Sequence, residues 1–371
     1  MWHSFFRRIR LDWVQIEVSS VCNASCCYCP QTAYKDVWKK LFFDHELIRK
    51  IVPFLHPKTY IHLQGWGEPF THPRLFAMIE DLKRHGFTVG TTTNGSLLTP
   101  EHMQRLIDVG LDLIAFSTAG CSSEKNDLIR HGTSLKQVIS CIETLNRLKA
   151  ARKSPYPRIH LAHMLLRSGL SDIESCSSFW RDLGVDHIVL SSLSLITRPD
   201  LQKEAILADS IREWDELKQR LNRIRLDSGL QNILHFHLVS PFMIFKRCSE
   251  NISKSTVIGA DGAVSSCVMA NIPVTKPVPY WSYGKRRLLT RTYWADSQQQ
   301  DLHHIWKDKQ YKSFRKQETF SEGPCDNCLK RCIEISDTEY SVDSSSFHSC
   351  WQLLREASEE KEALRRRAAK N

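Results

Sequence analysis

A chain of 371 residues with 42% apolar side chains can bury one large core and a smaller one, which excludes disorder as its main state. No stretch approaches the roughly 20 continuous apolar residues of a membrane helix, and the N-terminus lacks an apolar segment followed by a small-residue cleavage site. A cytoplasmic location away from membranes is therefore expected. The net charge of +10 is spread along the chain, with concentrations at Lys285, Arg286 and Arg287 and at Arg365, Arg366 and Arg367. No nucleic-acid motif accompanies it, so a solvated surface is expected and nucleic acid is not a predicted partner.

From residue 13, short β-rich apolar runs alternate with longer amphipathic segments. The runs are Val14 to Val18, Tyr60 to Leu63, Thr88 to Thr92, Leu111 to Ser117, Arg158 to Leu165 and His187 to Leu190. Helical patterns lie between them at Asp44 to Phe54, Pro73 to His85, Pro100 to Val109, Leu135 to Ala150 and Ser171 to Leu183. Asp44 and Thr99 stand as N-caps, Pro73 and Pro100 at first helical positions, and Gly86, Gly110 and Gly184 where helices stop. Strand-helix units in series imply an α/β fold with a parallel sheet, either open or closed as a partial barrel. The active site is expected beyond the carboxyl ends of its strands. The unusual residues fall there: a cysteine cluster after the first strand, Gly65-Trp-Gly-Glu-Pro69 after the second, Thr93-Asn94-Gly95 after the third, and Ser117 ending the fourth. Beyond residue 200 a polar helix, Glu204 to Asp227, precedes an apolar run, Ile233 to Val239, and then a cysteine-bearing region. The expected units are a core over 13–235, a second domain over 241–350, and a charged helical tail over 356–371.

Thirteen cysteines are present, several of them clustered, and clustering inside a cell favours metal over disulfides. Cys22, Cys26 and Cys29 have CxxxCxxC spacing. Three thiolates on a short loop can hold three irons of a cubane and leave the fourth open, whereas structural zinc wants four closed ligands. Cys27 is off this spacing and is expected to be a free thiol turned away. Cys121, Cys141 and Cys176 are expected to be buried inert thiols, and the scattered histidines ordinary core residues.

This motif, with Tyr28 just before its last cysteine, resembles the radical S-adenosylmethionine (radical SAM) superfamily. Gly65, Gly67, Glu68 and Pro69 resemble the Gly-Gly-Glu element of that family, Thr93 and Asn94 its ribose-contacting segment, and Ser117 its cofactor-facing polar residue on the fourth strand. The resemblance covers about residues 13 to 200. It implies a partial (β/α)6 parallel barrel holding a catalytic 4Fe-4S cluster and S-adenosyl-L-methionine, with Tyr28, Gly65, Gly67, Glu68, Pro69, Thr93, Asn94 and Ser117 at the cofactor. The glycines would let the backbone approach a ligand, and Asn94 would offer both a donor and an acceptor to ribose hydroxyls.

A second set, Cys248, Cys267, Cys325, Cys328, Cys332 and Cys350, resembles the SPASM domain or its shorter twitch form, which binds auxiliary 4Fe-4S clusters. The segments Asp301-Leu-His-His-Ile305-Trp306 and Phe314-Arg315 add to that likeness. The run CxxCxxxC is shorter than the full SPASM pattern, so one auxiliary cluster is expected. By similarity its ligands would be Cys248, Cys267, Cys325 and Cys328, with Cys332 and Cys350 as substitutes or part of a second, incomplete cluster. A structural zinc on four of these thiolates is the alternative.

The resemblance implies reductive cleavage of S-adenosylmethionine to a 5′-deoxyadenosyl radical and hydrogen abstraction from a substrate, with net oxidation. A peptide or protein side chain is the expected substrate. A small-molecule dehydrogenase or cyclase, or a non-catalytic iron-sulfur electron carrier, are the alternatives. A low-potential flavodoxin or ferredoxin is the expected donor. With only about a dozen residues before the first strand, the leader-peptide-binding domain of many peptide-modifying relatives is not expected, which keeps a separate recognition protein or a small-molecule substrate open; the segment Asn271 to Gln300 is expected either to line a substrate mouth or to be an insertion with no role.

Overall fold

The computed structural model describes residues 8–240, 248–316, 325 and 328–336. Seven parallel strands run in chain order across one sheet: β1 (Trp13–Ile16), β2 (Tyr60–Leu63), β3 (Thr88–Thr93), β4 (Leu113–Thr118), β5 (Arg158–Leu165), β6 (His187–Ser192) and β7 (Leu234–Val239). The helices that cross between them are α1 (Pro30–Ala33) and α2 (His45–Ile51), then α3 (Leu75–Arg84), α4 (Pro100–Asp108), α5 (Ser123–Ile129), α6 (Leu135–Ala151), α7 (Ile173–Asp182) and α8 (Ile211–Asp227). Asp44 caps α2 by accepting from Glu46 N–H at 3.0 Å, and Thr99 caps α4 by accepting from His102 N–H at 3.2 Å. Gly86, Gly110 and Gly184 end their helices at φ of 82°, 71° and 69°. Pro73 departs from expectation: α3 begins at Leu75 with Arg74 as its N-cap.

The remaining strands are β8 (Ser255–Ile258), β9 (Ala263–Ser265), β10 (Val278–Ser282), β11 (Lys285–Leu289), β12 (Ala295–Asp296) and β13 (Ile333–Ser336), with α9 (Leu302–Lys307) and α10 (Lys309–Lys316). Among the described residues the main sheet has eleven strands in the order β12-β9-β8-β1-β2-β3-β4-β5-β6-β7-β13. The sheet is open, since its end strands do not pair. The C-terminal region thus extends the core sheet at both edges. β8 pairs parallel with β1, Trp13 opposite Ser255, and β13 pairs antiparallel with β7. β7 itself is a seventh parallel strand, one more than the expected six, because Ile233 to Val239 completes the last crossover through α8.

Period-two alternation divides the strands into two faces. Ile16, Ile61, Val89, Ile114, Phe116, Leu161, Leu190 and Phe236 face the helices and belong to the main core. The opposite face carries Gln15, His62, Thr92, Ala115, Ser117, His160, Ala162, Ser191 and His237. Of these, Thr92, Ser117, Ala162, Ser191 and His237 are half-buried, as is Gln64 just after β2. All six lie in the C-terminal half of a strand or just beyond it, so a polar chamber opens at that end of the sheet. Lower down, the rings of His160, His187 and His235 pack at 4.9 and 5.1 Å between centroids.

Two of the three isolated cysteines depart from expectation. Cys121 and Cys176 form a disulfide, with Cα atoms 5.3 Å apart. The loop after β4 and the buried face of α7 meet only in the folded chain, so sequence spacing gave no sign of this pair. Cys141 is the expected buried thiol, directed to the carbonyl of Gly95 at 3.7 Å. No described helix is long and apolar enough to cross a membrane.

Candidate active site

The cysteine loop leaves β1 and is held on both sides. Ser20 donates its hydroxyl to Lys39 O at 2.6 Å, Ser25 and Cys27 donate backbone N–H to His131 O and Ile129 O, and Cys29 N–H closes a turn on Cys26 O at 3.1 Å. Cys29 then serves as N-cap of α1, with Pro30 at the first helical position. The thiols of Cys22, Cys26 and Cys29 lie close enough for each to feel the charge of the others. Burial pushes Cys22 up to about 11 and Cys29 up to about 12, because an isolated thiolate is poorly solvated there. Backbone N–H groups nevertheless point at the sulfurs: Ala24 N–H reaches Cys22 Sγ at 3.4 Å, and those of Gln31 and Thr32 favour the Cys29 thiolate. This donor set fits a thiolate-ligated cluster, in which amide dipoles stabilise charged sulfur. Cys27 lies beside Arg198, Asp200 and Glu204.

The Gly65–Pro69 loop packs directly on the cysteine loop. Gly67 N–H donates to Ser19 O at 3.1 Å and Glu68 N–H to Val21 O at 2.8 Å. Neither Gly65 nor Gly67 is required for a positive φ; both are required for contact. A Cβ on Gly67 would lie 2.4 Å from Val21 O, and one on Gly65 2.1 Å from Glu17 Cγ. Glu68 is 3% exposed and joins three segments. Its carboxylate accepts from Thr93 Oγ1 at 2.8 Å, Asn94 N–H at 2.8 Å and Phe70 N–H at 3.2 Å. Burial raises its pKa, opposed by those three donors. Pro69 opens the short 3-10 turn Pro69–Thr71 and is buried.

Asn94 ties the third strand to the cysteine loop. Its Nδ2 donates to Asn23 Oδ1 at 3.0 Å and lies 3.9 Å from Cys22 Sγ, while Oδ1 accepts from Ser96 N–H at 2.9 Å. Ser117 faces the chamber. Thr93 does not: it sits on the helix-facing side of β3, with its hydroxyl spent on Glu68 and on accepting from Gly95 N–H at 3.0 Å. It positions Glu68 and Asn94 where a direct cofactor contact had been expected. The Tyr28 hydroxyl accepts from Arg130, whose guanidinium also lies near Cys22, Cys26 and Glu68. Sequence reading missed Arg130. It ends α5, a short helix with no clear apolar periodicity, and only the fold carries it to the cluster loop.

The second thiol set gathers Cys248, Cys267, Cys325 and Cys328, each within reach of charge on others of the set. Amides again point at sulfur, Glu250 N–H to Cys248 at 3.5 Å and Ala270 N–H to Cys267 at 3.4 Å. Lys330 pairs with Glu250 at 2.8 Å beside them. The donor set is four thiols with amide support, which suits a cluster. The side chain of Cys332 and all of Cys350 lie outside the described residues, as does the tail. Around this set, Tyr311 stacks on Trp294 at 5.2 Å, and Arg315 lies 3.3 Å over the Trp306 ring. The hairpin β10–β11 packs against α1 and the loop after β6, through Tyr34 Oη to Pro279 O at 2.6 Å and a bridge between Ile196 and Trp281. Within the segment 271–300, this hairpin reaches the loop after β6, whereas Ser297 to Gln300 lie by Lys50, Ile51 and Phe54 at the end of α2.

Residues 16–156 match the Radical SAM superfamily, and residues 248–329 match the SPASM iron-sulfur cluster-binding domain. The chain is a radical SAM enzyme with a SPASM domain. It is 25% identical over 312 residues to the tungsten-containing aldehyde ferredoxin oxidoreductase cofactor-modifying protein of Pyrococcus furiosus, covering 82% of this chain and 83% of that relative. It is 26% identical over 138 residues to the mycofactocin maturase MftC of Mycobacterium tuberculosis, covering 37% and 34% of the two chains. Streptococcus suis SuiB bound to its precursor peptide SuiA superposes with a TM-score of 0.59 at 13% identity, over 87% of this chain and 71% of that one. The family brings S-adenosylmethionine, a 4Fe-4S cluster and auxiliary iron-sulfur chemistry to this radical SAM enzyme.

Proposed function

We propose that this radical SAM enzyme oxidatively modifies a peptide or protein side chain, abstracting hydrogen from a substrate held in the polar chamber. The observation that carries the oxidative reading is the joining of two thiol sets through one loop. Gly65–Pro69 lies on the Cys22–Cys29 loop, and its Trp66 Nε1 donates to Val268 O, next to Cys267, at 3.2 Å. An electron leaving the substrate would thus have an acceptor site joined to the radical-generating one through Trp66.

Cys22, Cys26 and Cys29 would hold the catalytic cluster; Cys248, Cys267, Cys325 and Cys328 would hold a single auxiliary one. Bound cluster and S-adenosylmethionine together supply reductive cleavage to methionine and a 5′-deoxyadenosyl radical. The chain's own contribution is placement. The backbone of Gly65–Glu68 would hold the methionine end of the cofactor and Asn94 the ribose, with Tyr28, Pro69 and Ser117 completing the pocket. Arg130 adds a fixed positive charge. Five half-buried residues that line the opening (Gln64, Thr92, Ser117, Ser191 and His237) are uncharged hydrogen-bonding groups, apart from any protonation of His237, suited to an amide-rich or hydroxyl-bearing segment. Residues 13–235 serve as the core and 241–350 as the auxiliary domain, and the electron donor is a flavodoxin or ferredoxin of the cytoplasm.

MftC, named as a maturase, and SuiB, seen with its precursor peptide, support the peptide reading. A second reading, modification of a small molecule or cofactor, is favoured by the name of the Pyrococcus relative and by its coverage of most of the chain. Iron and sulfide analysis with Mössbauer spectroscopy on anaerobically reconstituted protein, followed by a 5′-deoxyadenosine assay with reductant and S-adenosylmethionine, tests the core of the proposal. About eight irons with product supports two four-iron clusters; about four irons with bound zinc makes the second thiol set structural; no 5′-deoxyadenosine rejects the catalytic reading.

A further inference from the structure

Glu17 is the first residue after β1 and belongs to neither thiol set. It is 2% exposed and lies on the chamber side of the sheet, in phase with Trp13 and Gln15. Its carboxylate spans two loops. One oxygen accepts Trp66 N–H at 2.9 Å, and the other accepts Ala260 N–H at 3.2 Å. Its own N–H donates to Ile258 O at 2.8 Å, where β8 runs beside β1. The missing side chain of Gly65 is the space that Glu17 Cγ fills.

From Ala260 the contact continues into the auxiliary domain. Asp261 forms a two-pronged pair with Arg291 at 2.6 and 2.7 Å, and Arg291 donates to Asn271 Oδ1 at 2.8 and 2.6 Å. Asn271 N–H returns to Cys267 O at 3.2 Å. The second link, Trp66 to Val268, reaches the same turn. Both routes start at the backbone that Glu17 holds and end at the thiol loop of Cys267.

We propose that Glu17 is a positioning residue that couples the S-adenosylmethionine loop Gly65–Pro69 to the auxiliary-cluster loop at Cys267. This rests on the roles assigned above to those two loops. The carboxylate is suited to the task because both of its partners are N–H donors, and only a group with two acceptor oxygens satisfies both at once. A glutamine of the same shape turns an N–H₂ toward one of them and leaves a buried donor unpaired. Burial, the largest effect, lifts the Glu17 pKa to about 7, opposed by the Trp66 and Ala260 amides and by Arg291, and reinforced by Asp261. Lys39 faces Asp261 from the far side at 3.9 Å. Coupling is a reciprocal free energy, so each loop must report the state of the other.

The test is a double-mutant cycle read as S-adenosylmethionine affinity, from the change the cofactor produces in the EPR signal of the reduced catalytic cluster. Glu17→Gln is expected to weaken affinity roughly tenfold, as loss of one buried acceptor implies. Cys267→Ala, which empties the auxiliary site, is expected to weaken it as well, and the two together no more than the larger alone. Additive effects, or unchanged affinity in Glu17→Gln, overturn the proposal. Gly67→Ala separates the two readings: if it too leaves affinity unchanged, the assignment of the loop to S-adenosylmethionine fails, and if it alone weakens binding, only the coupling fails. Should Glu17→Gln not fold, the wild-type pH profile decides. Affinity is expected to rise with pH through about 7, as the ionised carboxylate takes up both amides, and a flat profile refutes it.

Discussion

Replacing Gly67 by alanine is the sharpest test of how the site is assembled. A Cβ there would stand 2.4 Å from Val21 O, 2.5 Å from Ser19 O and 2.7 Å from Val21 N, all backbone atoms of the cysteine loop. These cannot swing aside as a side-chain tip could. Relief requires the two loops to part, which breaks the bonds from Gly67 N–H to Ser19 O and from Glu68 N–H to Val21 O. Two net hydrogen bonds at about 1 kcal/mol each, with overpacking of about 1–3 kcal/mol, give a loss of about 3 kcal/mol or more. If all of it falls on cofactor binding, affinity drops by about two orders of magnitude. EPR titration with S-adenosylmethionine on reconstituted protein, together with iron content and a thermal melt, divides the loss between binding and folding. Gly86→Ala is the control: its φ is +82° but nothing lies within 4 Å, so it should strain a helix end and leave binding alone. Wild-type affinity and an unchanged melt for Gly67→Ala would refute the argument.

Three further outcomes are expected. Cys26→Ala should lose 5′-deoxyadenosine formation and about half of the iron, whereas Cys267→Ala should keep uncoupled cleavage without modifying substrate; cleavage in the first variant sinks the ligand assignment. Glu68→Gln leaves one of the donors Thr93, Asn94 or Phe70 unmatched, at about 1–3 kcal/mol; the cofactor Kd should rise about tenfold or more, and an unchanged Kd rejects the tie between the second and third strands. The pH dependence of stability should report Glu17. Its folded pKa of about 7 lies above the ordinary carboxyl value of 4.5, so the native state binds the extra proton and stability falls as pH rises between these values, by at most about 3 kcal/mol. Chemical denaturation at pH 5 and pH 8 should show a smaller difference in Glu17→Gln than in wild type.

The parts of the fold written locally were legible. Asp44, Thr99 and the stop glycines act through neighbours a few residues away, and apolar periodicity placed the first six strands. The parts written by distant contact were not. β8 joins β1 across some 240 residues of sequence, and nothing in Ser255–Ile258 says which edge it will find. The Cys121–Cys176 disulfide, the reach of Arg130 to Tyr28 and the span of Glu17 depend equally on crossovers that bring remote segments together. Motif reading found Gly65 and Gly67 for a different reason from the one the packing shows. Both are small because the Glu17 side chain presses on Gly65 and the backbone of Ser19 and Val21 on Gly67, and the close fit of the Gly65–Pro69 loop to the cysteine loop follows from that.

The disposition of spare thiols bears on the chemistry as directly as the ligands do. A carbon radical takes hydrogen readily from a free S–H, so a site that generates one must keep unligated thiols away from its chamber, an instance of excluding side reactions by enclosure. Cys121 and Cys176 carry no S–H, being joined to each other. Cys141 is held on the helix side of β3 and β4, against Gly95 O. Cys27, within the cluster loop itself, is placed beside Arg198, Asp200 and Glu204. What the described chamber offers at its open end is Gln64, Thr92, Ser117, Ala162, Ser191 and His237, none with a thiol or a phenol. Its deeper phenol, Tyr60, has its hydroxyl engaged with His62 Nδ1 at 2.7 Å. A lining of amide, alcohol, methyl and imidazole groups offers no S–H from which a carbon radical would take hydrogen in place of a substrate, and the Tyr28 phenol is engaged with Arg130.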